Sequence, residues 1–314
     1  MNNQNDIDAE LANSSSQLYM FLAAIGKSFD FVEASTISET DIQSDYSKVL
    51  ENPCGCYLLD IDKAEAETIQ KEYGVICQST SDYQDCPLVH KEFPIYPEKG
   101  ESGYGWNRFK KVCSEFPNNA LIINDRNLFN DQTRGDLHGL KNIEDILDAL
   151  LPDIFDAEYH VGIIIGSEKG KPIIKAPYDF KIIIGELERI KNRLSKPYSI
   201  VISFLMLDSS DAISWEKTHN RRIISNYYYI EADHKIAAFY NGRSTITQSI
   251  QMNPLFCKGF SVGADAPEKD HRNSIEGYRF VVNETYWSAN PYNKYASGLN
   301  DTVSIENLNH RLLK

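Results

Sequence analysis

The chain lacks any apolar run close to the ~20 residues that cross a bilayer. Its first residues, "MNNQNDIDAELANSSSQLYMFLAAIG", also lack the basic segment ahead of an apolar one that marks a secretory leader. Both absences point to a cytoplasmic protein with no transmembrane segment. Cysteine is sparse as well: six in 314 residues exclude a disulfide scaffold. Four fall close together, at Cys54, Cys56, Cys77 and Cys86. Tetrahedral zinc uses pairs spaced so that each can grip from one turn, and Cys77 and Cys86 lie too far apart for that. Reduced, mostly buried thiols and no metal are therefore expected. No glycine-rich nucleotide fingerprint, Walker-type loop or paired-histidine metal motif occurs, so no cofactor is expected and no rival enzyme signature competes.

Positive charge is the other shortage. Lys and Arg total 32 against 45 Asp and Glu, a net charge of −13. A general polyanion-binding surface is disfavoured, because repulsion opposes approach everywhere except at a local patch. The imbalance is uneven, with eight acids and two bases over residues 1–50 but eight bases and five acids over 181–222. A phosphate-binding role belongs in the second half. What remains is ordinary for a globular protein: 42% hydrophobic and 25% charged residues.

The pattern along the chain is strand and helix in alternation. "GCYLLDID" (55–62) reads as a strand, "KAEAETIQKEY" (63–73) as a helix and "YGVICQ" as a second strand. Residues 78–105 are rich in Pro, Gly, Ser and Asp and read as a long loop or linker. A helix follows in "WNRFKKVCSEF" and a buried strand in "NALIINDRNLF". Leu137, Leu140, Ile143, Leu147 and Leu150 recur at three- and four-residue steps before Pro152, which predicts a helix over 137–151. Strands are expected near 120–124, 159–165, 199–206, 222–230 and 235–240, with a second long helix over 179–195. "RRIISNYYYI" and "KIAAFY" are expected to pair antiparallel and close the sheet. The fold class is α/β: a mixed, mostly parallel sheet flanked by helices. Three regions follow: an acidic N-terminal α/β region (1–100), a core (101–245) and a cap (246–314).

One stretch stands out. Lys217, His219, Arg221 and Arg222 place three cations and a histidine in six positions at the mouth of a strand. His219, Arg221 and Asn226 fall at positions one, three and eight of an octet. This resembles the phospholipase D superfamily motif of histidine, any residue, lysine, four residues, then aspartate. In that superfamily the histidine attacks phosphorus, the lysine binds phosphate oxygens and the aspartate supports the fold or the histidine. The resemblance spans about residues 105–240 and implies a phospholipase D-like core. Arg221 replaces the lysine, Asn226 replaces the aspartate, and the downstream Gly-Ser-x-Asn is missing. None of His90, His138, His160, His234, His271 and His310 has a lysine or arginine two residues later, so a single motif is present.

Such single, altered motifs are similar to the C-terminal domain of MIT-domain proteins, a non-catalytic branch that binds phospholipid or protein partners, and to modules of bacterial anti-phage defence systems. The resemblance thus implies a module binding a phosphate-containing ligand or a protein partner. The alternative is a homodimeric, metal-independent nuclease or phosphodiesterase in which His219 of each chain attacks the phosphodiester, with Arg221 and Asn226 completing the catalytic set. Lys217, Arg222, Asp125 and Arg126 are the further ligand-binding candidates. The last two stand where a buried strand ends, the edge at which such sheets gather ligands, and Asp125 is placed to orient His219. A plainer reading stands beside these. The histidine bonds to backbone, Arg221 and Arg222 pair with acids such as Glu231 or Asp233, and Asp125 and Arg126 form an ion pair or a helix cap.

Overall fold

The computed structural model describes residues 37–80, 105–113, 116–130, 137–168, 171–208, 221–240, 243–244, 250–254, 275 and 310–313. The first helix, α1 (Glu39–Ser44), starts where Ser38 and Asp41 bond reciprocally to each other's backbone N–H. A 3₁₀ turn over Tyr46–Glu51 leads to β1 (Cys56–Leu59). Helix α2 (Lys63–Tyr73) is capped by the Asp62 carboxylate and ends at Gly74, whose φ of 59° is left-handed. Strand β2 (Ile76–Ser79) then runs parallel to β1. This βαβ unit has a core of its own, built from Ile42, Val49, Tyr57, Leu59, Ile69, Val75 and Cys77.

Helix α3 (Asn107–Cys113) precedes the main sheet. The chain then alternates β3 (Ala120–Asn124), α4 (His138–Leu150), β4 (Tyr159–Glu168), a short β5 (Lys171–Pro172), α5 (Phe180–Leu194) and β6 (Ile200–Asp208). Leu140, Ile143, Ile146, Leu147 and Leu150 form the buried stripe of α4. Ile183, Leu187 and Ile190 do the same for α5, whose first turn is capped by Asp179. The two helices lie side by side, joined by Arg193 Nε donating to Glu144 at 2.6 Å.

Two hairpin strands follow, β7 (Arg221–Ser225) and β8 (Tyr228–Ala232). A two-residue ribbon, β9 (Phe239–Tyr240) with β10 (Arg243–Ser244), stands apart, and β11 (Ile250–Pro254) rejoins the sheet. The main order is β11-β8-β7-β3-β4-β6, with β5 pairing the far end of β4.

The fold is α/β with a mixed sheet, but the sheet is not mostly parallel. Only β3–β4 and β4–β6 pair in parallel, while β3–β7, β7–β8, β8–β11 and β4–β5 are antiparallel. Parallel pairing needs a long crossover, and the described crossover helices stop at α5. The expected single strand over 222–230 is also corrected: it is a hairpin turning at Asn226 and Tyr227, so β7 pairs with β8. Of "KIAAFY", only Phe239–Tyr240 is extended, in the separate ribbon. Every residue from Arg222 to Ile230 is buried, so no change in periodicity marks the turn.

At the amino ends of β3 and β4 the segment 310–313 packs against the sheet. The neutral His310 ring uses both nitrogens: Nε2–H donates to Leu121 O (3.1 Å) and Nδ1 accepts from Leu312 N (3.3 Å). Burial holds its pKa down to about 4. An unfolded imidazole takes its proton near pH 6.5. The stabilisation from the neutral ring is therefore complete above that pH and is lost as pH falls toward 4. Going from pH 7 to pH 5 should remove about 2 kcal/mol through this group. In urea denaturation, His310→Gln should show a pH-dependent loss smaller by that amount; equal losses in both chains would refute the assignment.

Candidate functional site

Two ends of one strand define the geometry. Strand β7 is antiparallel to β3, with Arg222 opposite Asn124. The amino end of β7 thus meets the carboxyl end of β3, and Asp125, Arg126, Arg221 and Arg222 gather at this edge. Strand β6 also ends there, its Asp208 paired with Ser167 near the end of β4. Lys217 and His219 lie outside the described residues.

Asp125 is fully buried at the centre of this edge. One carboxylate oxygen accepts from Asn127 N (2.9 Å) and starts the turn that follows β3. The other accepts from Ile236 N (2.8 Å). Burial pushes its pKa upward, opposed by these two N–H groups and by the charges of Arg221 and Lys235. Asp125 thus organises backbone. Arg126 crosses β4: its carbonyl accepts from Gly166 N (3.2 Å), and a Cβ at Gly166 would meet Arg126 Cγ at 2.4 Å.

The two arginines of β7 differ. Arg222 faces Glu231 across the hairpin, donating to the same oxygen from Nε (3.1 Å) and Nη2 (2.9 Å), with its guanidinium 4.8 Å from the Tyr229 ring centre. It is 6% exposed and engaged in an ion pair, as the plainer reading expects; a ligand contact is not its observed state. Arg221 is only half-buried and donates to the carbonyl of Asp233, not its carboxylate, at a long 3.5 Å. Its buried Nε has no hydrogen-bond partner among the described residues. Of the two, Arg221 keeps donor capacity for a ligand.

The backbone over residues 233–239 borders the same edge. Besides the Asp125 bond, His138 Nε2 meets Ala237 O at 3.0 Å. The Asn142 amide accepts from Phe239 N (3.1 Å) and donates to Phe239 O (2.9 Å), while Trp106 Nε1 donates to the same amide oxygen (2.9 Å). Sequence reasoning missed His138 and Asn142. Their only signal was a polar pair four residues apart on the otherwise apolar face of the helix.

Asn226 lies at the other end of β7, five residues and roughly 17 Å from Arg221. It is fully buried, and its Nδ2 donates to Pro53 O (2.9 Å) and Gly74 O (3.0 Å). Its Oδ1 accepts from Asn119 N (3.2 Å). The structure therefore places Asn226 at the opposite end of β7 from Arg221, bonded to the main chain of the N-terminal unit and of Asn119. Cys54, Cys56 and Cys77 form no disulfide among the described residues, and Cys86 lies outside them. Among the described residues, no helix is long and apolar enough to cross a membrane. No protein-family model matches the chain, and no curated protein matches it in sequence.

Substituting Asn226→Asp should be harmful. It points a carboxylate at two carbonyls and removes both donors, a loss of about 3 kcal/mol or more. Asn226→Ala should lose about 2 kcal/mol. Urea denaturation of both variants checks the order; an Asp variant as stable as the parent would disprove the clamp.

Proposed function

We propose that the chain is a phosphate-binding module of phospholipase D-like kind, holding a phosphate monoester or diester at the carboxyl edge of its sheet without cleaving it. The observation that supports this reading is Arg221, a guanidinium at the carboxyl edge that, among the described residues, makes one long bond to a carbonyl and has a buried Nε lacking an acceptor. A phosphate oxygen would complete it with a charge-assisted bond. Lys217 and His219 are the further contacts in this proposal. Arg222 shapes the edge through its ion pair, and Asp125 and Arg126 set the backbone around it. The acidic N-terminal region would face a protein partner, and a place in a bacterial defence assembly rests on the resemblance alone.

The test uses a 5′-phosphorylated single-stranded oligonucleotide and inorganic phosphate as probes. Arg221→Ala should weaken binding by roughly one to two decades, as expected for loss of about 1.5–3 kcal/mol. Its circular dichroism should match the parent's, since the substitution removes only one weak bond among the described residues. His219→Ala should cost a smaller factor, and neither chain should cleave the oligonucleotide in chelator. Cleavage by the parent that survives chelator and vanishes with His219→Ala would replace this reading with the dimeric phosphodiesterase. Unchanged affinity in Arg221→Ala would remove the site altogether.

A further inference from the structure

Two cysteines separated by one glycine stand at the entry to β1, among the carbonyls that hold the N-terminal unit to the hairpin. We propose that Cys54 and Cys56 are a redox-active dithiol, closed to an intrachain disulfide by exchange with a small disulfide of the glutathione class.

The chain brings both side chains to one side. A turn from Asn52 to Gly55, closed by Gly55 N donating to Asn52 O (2.9 Å), leads into β1. Cys54 and Cys56 then both pack against the main core, and both lie within electrostatic reach of the same two hydroxyls, those of Tyr57 and Tyr227. Two peptide units span at most about 7 Å between Cα atoms, at the upper end of the roughly 4.4–6.8 Å that a disulfide bridges. The residue between them has little room for a side chain. A Cβ at Gly55 would lie 3.0 Å from Asn52 O and 3.1 Å from Tyr57 Cε2.

The backbone around the pair is held on both sides. Pro53 O accepts from the amides of Asn119 and Asn226, Gly55 O accepts from the Tyr227 hydroxyl, and Cys56 is level with Ile76 in the β1–β2 ladder. Closure of the disulfide therefore calls mainly for side-chain rotation. Cys77 is kept out of this chemistry by the pleat. It is level with Tyr57, the neighbour of Cys56, and belongs with Tyr57 to the separate core of the N-terminal unit. It is also 1% exposed, and burial pushes its thiol up to about 12, whereas Cys54 and Cys56 are half-buried and within reach of a small molecule.

The step is thiol–disulfide exchange. One thiolate of the pair attacks a sulfur of the small disulfide, forming a mixed disulfide and releasing one small thiol. The second thiolate attacks the protein sulfur of that mixed disulfide, forming the Cys54–Cys56 bond and releasing the other. Two electrons and two protons pass from the pair to the small disulfide.

The test equilibrates the folded full chain with graded mixtures of reduced and oxidised glutathione, blocks remaining thiols with N-ethylmaleimide and maps the tryptic peptides by mass. In excess oxidised glutathione, peptide 49–63 should be lighter by two hydrogens and carry no maleimide, while Cys77 remains blocked as a thiol. Cys54→Ser should stop one step earlier, with one glutathione on Cys56. The isolated peptide 49–63, which lacks the bonds to Asn119, Asn226 and Tyr227, should need roughly tenfold more oxidised glutathione for half-oxidation. Two maleimides or two glutathiones on peptide 49–63 of the parent would overturn the proposal. So would oxidation that appears only in urea, or at the same glutathione ratio in the chain and the isolated peptide.

Discussion

Two backbone carbonyls, those of Pro53 and Gly74, each accept hydrogen bonds from the amides of both Asn119 and Asn226. One carbonyl precedes β1 and the other ends α2, so this four-group clamp fixes the βαβ unit by its backbone at both sides of the crossover. The Tyr227 hydroxyl adds a bond to Gly55 O and accepts from Ile76 N. Asn119 also offers its own carbonyl to Arg311 and its N–H to Asn226. One residue thus joins the N-terminal unit, the hairpin and the segment at residues 310–313. A buried carbonyl left unbonded costs about 1–3 kcal/mol, so the clamp members depend on one another. The close approach also explains Gly74. A Cβ there would lie 2.1 Å from Asn118 O, and its positive φ suits glycine in any case. Although β1 and β2 form a separate two-stranded sheet, β2 contributes Ile76 to the main core, and the unit depends on the larger sheet.

That arrangement divides the sheet into two ends with different chemistry. At the amino end, polar side chains meet backbone carbonyls and join distant parts of the chain. At the carboxyl end, Asp125 collects backbone N–H groups while Arg221 retains donors. Strand β7 connects them directly. Its register with β3 and β8 places Arg221 and Asn226 at fixed positions, and the buried run between them, Arg222 to Ser225, prevents either from sliding. The open guanidinium at one end therefore rests on the clamp at the other.

Elements specified by nearby residues were legible in the sequence. The Asp62 cap and Gly74 stop define α2, the apolar stripe defines α4, and continuous apolar runs mark β3, β4 and β6. The β7–β8 hairpin was hidden because a strand buried on both faces carries no alternation. At the candidate site, the pairing of Arg222 with Glu231 was readable as a cross-strand possibility over nine residues. The clamp was not readable. Asn226 reaches Pro53 across 173 residues and Asn119 across 107, and its partners are main-chain groups that every residue possesses. No residue type announces a backbone acceptor.

The same geometry explains why position eight of the octet holds an amide. Position three is the first residue of a five-residue strand, so position eight falls just beyond the strand's other end. There it faces Pro53 O and Gly74 O, which can only accept, and Asn119 N, which can only donate. A carboxylate satisfies the N–H but offers nothing to two carbonyls and brings a buried charge. A carboxamide matches all three, with two hydrogens for the carbonyls and an oxygen for the amide. Because these acceptors are carbonyls, the chemistry also fixes which way the amide points. Docking the βαβ unit against the hairpin turn is what creates that demand. The amide at this position is a consequence of how the N-terminal unit is attached.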